Sequence, residues 1–219
     1  MKTITFCRRN EKAFTLVELL VVIAIIGLLA GLIVSLSGHA IEKSRLSRVK
    51  VELQKVETII QNYKEKKGFY PPDNPKSTMA NQLFYELTGT IYDPSTAKFK
   101  TVKGSEQISA ILVASTFNVG GFVNTTQDPV ENPVFSFEFS PGQYAEVSSS
   151  PNEIELLVCP VSGPNMLKNL TTGAQLNPWN YDSSSTNRNN TDSFDLWVDV
   201  IMRGKTNRIC NWSATPIVL

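Results

Sequence analysis

Histidine and cysteine are scarce in this chain. One histidine, His39, and three cysteines among 219 residues leave too few ligands for a zinc cluster and a single imidazole for a catalytic triad. Net charge is also missing, since 21 Lys+Arg against 20 Asp+Glu give +1, and a near-neutral chain has no general attraction for nucleic acid or acidic polymers. The sequence contains no H-E-x-x-H, no G-x-x-x-x-G-K-[ST] and no G-x-S-x-G, the patterns that carry zinc, phosphate or nucleophile chemistry. An enzyme is not expected, nor is a cofactor. The chain is 42% hydrophobic and 19% charged, which suffices for one globular domain with a core plus an appended segment.

Charge is unevenly spread. Residues 1–13 hold Lys2, Arg8, Arg9 and Lys12 against Glu11, a net of +3, while the rest of the chain nets −2. After this basic leader come Phe14, Thr15, Leu16, Val17 and Glu18, then Leu19 to Val34, where all sixteen residues are apolar or glycine. At about 1.5 Å per helical residue, Phe14–Val34 reaches roughly 30 Å, the thickness of a hydrocarbon core. A transmembrane helix fits. A secretory signal peptide cut near Gly38-His39-Ala40 is the competing reading, and Glu18 argues against it. A carboxylate costs roughly 2.5–3.5 kcal/mol near a bilayer centre unless paired, and a signal peptide gains nothing from one. Cleavage between Ala13 and Phe14 would supply a partner, a free α-amine four residues before the acid, and the pair would set the register between helices. Gly27 and Gly31 form a G-x-x-x-G step that lets another helix approach closely.

The run from Lys12 and Ala13 through Phe14, Glu18, Gly27 and Ala30 resembles the N-terminus of type IV pilins and type II secretion pseudopilins. The resemblance implies cleavage before Phe14 by a prepilin peptidase, N-methylation of the new amine by the same enzyme, and Glu18 as the assembly carboxylate. Ala13 stands where the family has glycine, which implies slower processing. It further implies assembly with copies of this chain and with other pseudopilins on an inner-membrane platform. The globular part is then extracytoplasmic, in a periplasmic or surface filament. Lys43, Arg45, Arg48 and Lys50 against Glu42 put a second net +3 just past the span, so orientation rests on the resemblance and the cysteines rather than on the positive-inside rule.

No proline occurs from Phe14 through Tyr70. Leu46, Val49, Leu53, Val56, Ile60 and Tyr63 recur three and four residues apart, which predicts an amphipathic continuation of the helix. A coiled coil would use the same stripe; packing on the chain's own sheet is preferred. Gly68 and Pro71-Pro72 supply the stop, and the exit Tyr63 to Pro71 also resembles major pseudopilins. Short helices are expected around Asn81–Leu87, ended by Gly89, and around Ser105–Ala114. The alternating stretch Phe135–Phe139, the turn Ser140–Gln143 and the strand from Tyr144 read as a hairpin. Glu153–Val158 reads as a further strand, and Phe194, Leu196, Val198 and Val200 mark one face of another. Residues 183–193 carry no apolar side chain and read as a mobile surface loop. The expected fold class is α+β, a long N-terminal helix packed on a small antiparallel sheet. Its expected organisation is a leader at 1–13, a transmembrane half-helix at 14–36, an amphipathic half at 37–68 and a globular domain at 69–219.

Cys7 would leave with the leader. Cys159 and Cys210 then form an even pair outside the membrane, a disulfide or two buried thiols, with the bridge preferred. The segments Asn177–Tyr181, Ser193–Trp197 and Ile209–Trp212 resemble the C-terminal part of major pseudopilins, where a loop binds calcium. Asp195 and Asp199 remain here, but Arg203 and Arg208 stand at positions that are acidic in that pattern. A degenerate loop with no calcium site is expected. The aromatic-rich stretch Phe117–Phe139 is where an alternative adhesive, DNA-uptake or minor-pilin role would place a ligand surface.

Overall fold

The computed structural model describes residues 15–149, 152–164, 167–169 and 172–219, without the side chains of 32–39, 148–149 and 152–153. In chain order the elements are α1 (Leu16–Lys67), α2 (Leu83–Thr88), β1 (Thr90–Asp93), β2 (Lys98–Thr101), β3 (Gln107–Ser109), α3 (Ala110–Phe117) and β4 (Thr125–Thr126). There follow β5 (Tyr144–Ser149), β6 (Asn152–Cys159), β7 (Leu167–Lys168), β8 (Gln175–Pro178), β9 (Asn180–Asp182), β10 (Asp195–Met202), β11 (Lys205–Cys210) and β12 (Ile217–Val218). The chain divides into two compact units, Met1–Ser44 and Arg45–Leu219. The division falls inside α1 rather than after it, because the helix from Leu46 onward is part of the globular core.

That core is built on the stripe read from the sequence. Val49, Leu53, Val56, Ile59, Ile60 and Tyr63 are buried, with Leu46 packed against them. They share one cluster with Leu83 and Phe84 of α2, Leu156 and Leu157 of β6, Leu196 and Val198 of β10, and Ile209 of β11. Gly68 ends α1 with φ +87, and its N–H donates to Lys64 O, a left-handed stop that glycine adopts without steric cost.

Among the described residues the strands form three four-stranded sheets rather than the single small sheet expected. Their orders are β3-β2-β1-β4, β5-β6-β8-β7 and β12-β11-β10-β9. Only β1 and β4 pair in parallel; the other pairs are antiparallel. A bridge from Val147 of β5 to Asn169, just past β7, brings the far edge of the second sheet back on itself, which shortens the exposed edge.

All six residues of α2 are buried, including Glu86. A buried carboxylate needs donors. Glu86 Oε1 accepts from Val123 N at 2.8 Å, and Oε2 accepts from Asn124 N at 2.9 Å and Tyr63 Oη at 3.1 Å. Desolvation still raises its carboxyl above the usual range, against the pull of those bonds. Asn124, wholly buried, donates from Nδ2 to Glu86 O and to Phe135 O, and accepts from Phe135 N at 3.1 Å. This side chain explains one departure from expectation. Phe135–Phe139 is not a strand; its polar backbone is taken by Asn124 and by Leu87 O, which accepts from Phe137 N, and β5 pairs with β6 instead. Gly89 ends α2 with φ +71, and a Cβ there would overlap the Phe135 carbonyl oxygen.

Two other expectations change. Ser105–Ala114 is not one helix, because Gln107–Ser109 pairs with β2 and the Ser109 hydroxyl caps α3 by accepting from Leu112 N, starting it at Ala110. Residues 183–193 are tied down. Ser183 N and Ser184 N donate to the buried Asp73 Oδ2 at 3.0 and 3.2 Å. Arg188 donates to Ser185 O and Thr191 O within the loop.

Ile60→Ala, at a wholly buried position, should cost about 2–5 kcal/mol in denaturant unfolding, whereas Ile111→Ala, 83% exposed, should change stability by under about 0.5 kcal/mol. The second sheet has its own pH response. Glu155 lies directly opposite Glu146, and its Oε2 is buried without a hydrogen-bond partner. Burial, with the charges of Glu146 and Glu106, pushes the Glu155 carboxyl up to about 7 from 4.5. An acid raised in the folded state contributes stability that is complete below its unfolded value and is lost as pH rises through the folded one. The urea midpoint should therefore fall between about pH 5 and pH 7.5, and Glu155→Gln should flatten that part of the profile.

Candidate functional site

The first described turn of α1 is built by two polar side chains at the entrance of the apolar run. Thr15 N and Thr15 Oγ1 each donate to Glu18 Oε2 at 2.8 Å, while Glu18 N donates to Thr15 Oγ1 at 3.3 Å. This is a reciprocal capping box, in which N-cap and third helical residue satisfy each other's backbone N–H. Its sequence signature is a threonine followed three residues later by glutamate ahead of an apolar stretch, as in Thr15–Glu18, a signal separate from the charge of Glu18. The box holds the carboxylate at the level of the helix start, where the dipole favours negative charge.

Every residue from Thr15 to Gly31 is exposed, including Leu16 (81%), Leu28 (66%) and Ile23 (60%). An apolar surface of this extent marks a contact with lipid or protein. A Cβ built on Gly27 or Gly31 meets nothing within 4 Å. At 100° per residue the two glycines lie about 180° and 220° around the helix from Glu18, so the small-residue step and the acid occupy opposite sides. Ala13 and Phe14 lie outside the described residues. Among the described residues no helix is long and apolar enough to cross a membrane. The expected span also takes in Phe14 and the side chains of 32–34, which are outside that set.

At the other end of the chain, β10 carries Asp195 and Asp199. Asp195 Oδ2 accepts from Asn189 N at 2.7 Å and Asn189 Nδ2 at 2.9 Å, and its Oδ1 accepts from Asn190 N at 2.9 Å. Asp199 faces Arg208 across the β10–β11 ladder, and the guanidinium grips it through Nε to Oδ1 at 2.8 Å and Nη2 to Oδ2 at 2.9 Å. The same guanidinium stands 5.4 Å over the Trp197 ring, which meets Trp212 edge-on at 5.7 Å. Arg203 and Gly204 make the hairpin turn with φ of +51 and +70, as a two-residue primed turn requires. Among the described residues no group of three His, Cys, Asp or Glu side chains is placed to hold a metal ion.

The preferred disulfide is not formed. Cys159 and Cys210 are both buried free thiols. Cys159 pairs with Asn177 in the second sheet, and Cys210 pairs with Trp197 in the third. They also flank α1 differently. Cys159 feels the charges of Glu52 and Arg48, whereas Cys210 lines a hollow with Lys50, Gln54 and Glu57, which lie on the other side of the helix. Burial pushes the Cys159 thiol up to about 12.

The aromatic stretch in the middle of the chain faces inward. Phe117, Phe122, Phe135 and Phe139 are all buried, and Phe122 stacks on Tyr85 at 4.8 Å and meets Phe99 edge-on at 5.1 Å. These rings are core, with only Phe137 of the set partly buried against it.

Comparison with protein families matches residues 8–34 to the prokaryotic N-terminal methylation motif. The chain carries a type IV pilin-like N-terminal signal. The matched residues run from Arg8 through Ala13, Phe14, the capping box and both glycines to the end of the apolar run, and signals of this kind are processed by prepilin peptidase. No curated protein and no solved structure matches the chain. The signal is that of a membrane-anchored, pilin-like protein and suggests a structural subunit.

Thr15→Ala removes one half of the box. Amide exchange at Leu16–Glu18 should speed about tenfold, with little change in the protection of Val49–Tyr63, by mass-resolved hydrogen exchange on the full chain.

Proposed function

We propose that this protein is a structural subunit of a type IV pilin-like filament, held in the inner membrane by Phe14–Val34 and serving type II secretion. The observation that carries the reading is the coincidence of the methylation motif at residues 8–34 with a helix whose apolar residues 15–31 have no cover of their own. Cleavage between Ala13 and Phe14 would leave a positive amine one residue before Thr15 in the sequence, four residues before the carboxylate that the capping box holds at the helix start. The pair neutralises the acid within one helix or between two staggered helices. In the second case it sets how one subunit stands against the next. Gly27 and Gly31, on the far side of the helix, leave room for a second neighbour there. A subunit with an acid on one side and a small-residue step on the other can contact two neighbours at once, as a filament requires.

The proposed partners are the prepilin peptidase and N-methyltransferase, further copies of this chain, other pseudopilins and an inner-membrane assembly platform. The secretion role is supported by the resemblance of Asn177–Tyr181, Ser193–Trp197 and Ile209–Trp212 to major pseudopilins. The ligand-binding alternative is not favoured, because the rings that would mark its surface are core residues.

Mass analysis of the membrane-extracted protein should find an N-methylated Phe14 at the start of the mature chain. A start at Ile41, or retention of residues 1–13, removes the reading. Glu18→Ala should be cleaved normally and fail to enter filaments, scored by cross-linking of sheared filaments; normal filaments from this variant would refute the pairing. Cells lacking the chain should stop exporting protein while keeping surface pili if the secretion role is correct.

A further inference from the structure

The C-terminal resemblance implies a calcium ion near Asp195 and Asp199, and the residues present do not fit one. Calcium takes six to eight oxygen ligands at 2.3–2.6 Å. Both Asp195 oxygens already accept N–H bonds from Asn189 and Asn190, and both Asp199 oxygens accept from Arg208. Asn211 Oδ1 accepts from Leu196 N and from Asn190 Nδ2. An ion placed here would meet N–H hydrogens where it needs lone pairs. The two carboxylates are also four residues apart on one strand, roughly 13 Å, too far to share an ion.

We propose that the Arg208 guanidinium is the built-in cation of the C-terminal segment, closing the β10–β11 hairpin on Asp199 in place of a bound metal, so that this part of the fold is independent of calcium. Three features support the assignment. The geometry is the bidentate fork that guanidinium makes with carboxylate. Asp199 is largely buried, with only 11% of its side chain exposed against 30% for Arg208, so a counter-charge is needed there. The cation is also held in place by Trp197, which in turn packs on Trp212, so the clasp reaches the turn that follows β11. Asp195 needs no cation, because three N–H donors from the 189–190 turn satisfy it and hold residues 183–193 against β10. A tethered cation has no dissociation equilibrium with the medium. The segment therefore has no calcium threshold, and its strength depends on the hairpin register that sets Arg208 opposite Asp199.

The test is thermal unfolding of the full detergent-solubilised chain. The unmodified protein should show the same midpoint, within about 1 °C, in excess EDTA and in millimolar calcium. Arg208→Gln should lower the midpoint by roughly 5 °C, and adding Asp199→Asn should recover part of that loss, because the carboxylate no longer lacks a counter-charge. Arg208→Glu should set two acids face to face and become cation-dependent, with calcium raising its midpoint. A rise of several degrees on adding calcium to the unmodified protein overturns the proposal. So does an Arg208→Gln variant that unfolds where the parent does. The chelator comparison needs no variant to fold, and none of these readouts depends on filament assembly.

Discussion

One helix face holds this protein together. Leu46, Val49, Leu53, Val56, Ile60 and Tyr63 present a continuous apolar stripe, and helix α2, the second sheet and the third sheet all bury residues in the cluster it seeds. A short element such as α2, six residues long and buried throughout, has no stability of its own; it exists because the stripe and its neighbours cover it. The first part of the same helix leaves its large apolar residues from Leu16 to Leu29 exposed, from 44% at Val22 to 81% at Leu16. Within one element, then, one half is stabilised by the chain's own packing and the other is left exposed. That contrast is the physical basis for reading the protein as an anchored, assembling subunit.

Buried acids recur, and each is matched by donors of the chain itself. Glu86 takes two backbone N–H groups and the Tyr63 hydroxyl, Asp73 takes the Ser183 and Ser184 amides, and Asp195 takes the 189–190 turn. Asp199 takes Arg208. These pairings tie together segments far apart in sequence, Pro71–Asp73 to Ser183–Ser184 and Tyr63 to Val123–Asn124, because an unsatisfied acid in a low-dielectric interior is costlier than the loop ordering needed to reach it. Glu155 is the exception, with one carboxyl oxygen unpartnered and a like charge opposite.

Much of the architecture was legible. The α1 stripe, its stop at Gly68, the helix before Gly89 and the strand face Phe194–Val200 all follow from periodicity and glycine placement, which are local properties. The departures share one cause. Phe135–Phe139 alternates like a strand, but Asn124, a residue eleven positions earlier, supplies the hydrogen bonds a neighbouring strand would have given. Residues 183–193 look disordered by composition, yet their amides find Asp73 and Asp195. Cys159 and Cys210 make an even pair, yet strand pairing sets one in the second sheet and the other in the third. The capping box is legible in the sequence as well, in the three-residue spacing of Thr15 and Glu18 ahead of the apolar run.

The sequence alone determined the apolar run with its single acid, the glycine step and the amphipathic stripe, since each depends on residues within a few turns of one helix. Only the tertiary structure decided how many sheets form, which strands pair, where the middle aromatics point, and that Arg208 meets Asp199 across the C-terminal hairpin while both thiols stay free. Those outcomes rest on pairings between residues far apart along the chain, and spacing in the sequence carries no distance in space until the core has placed them.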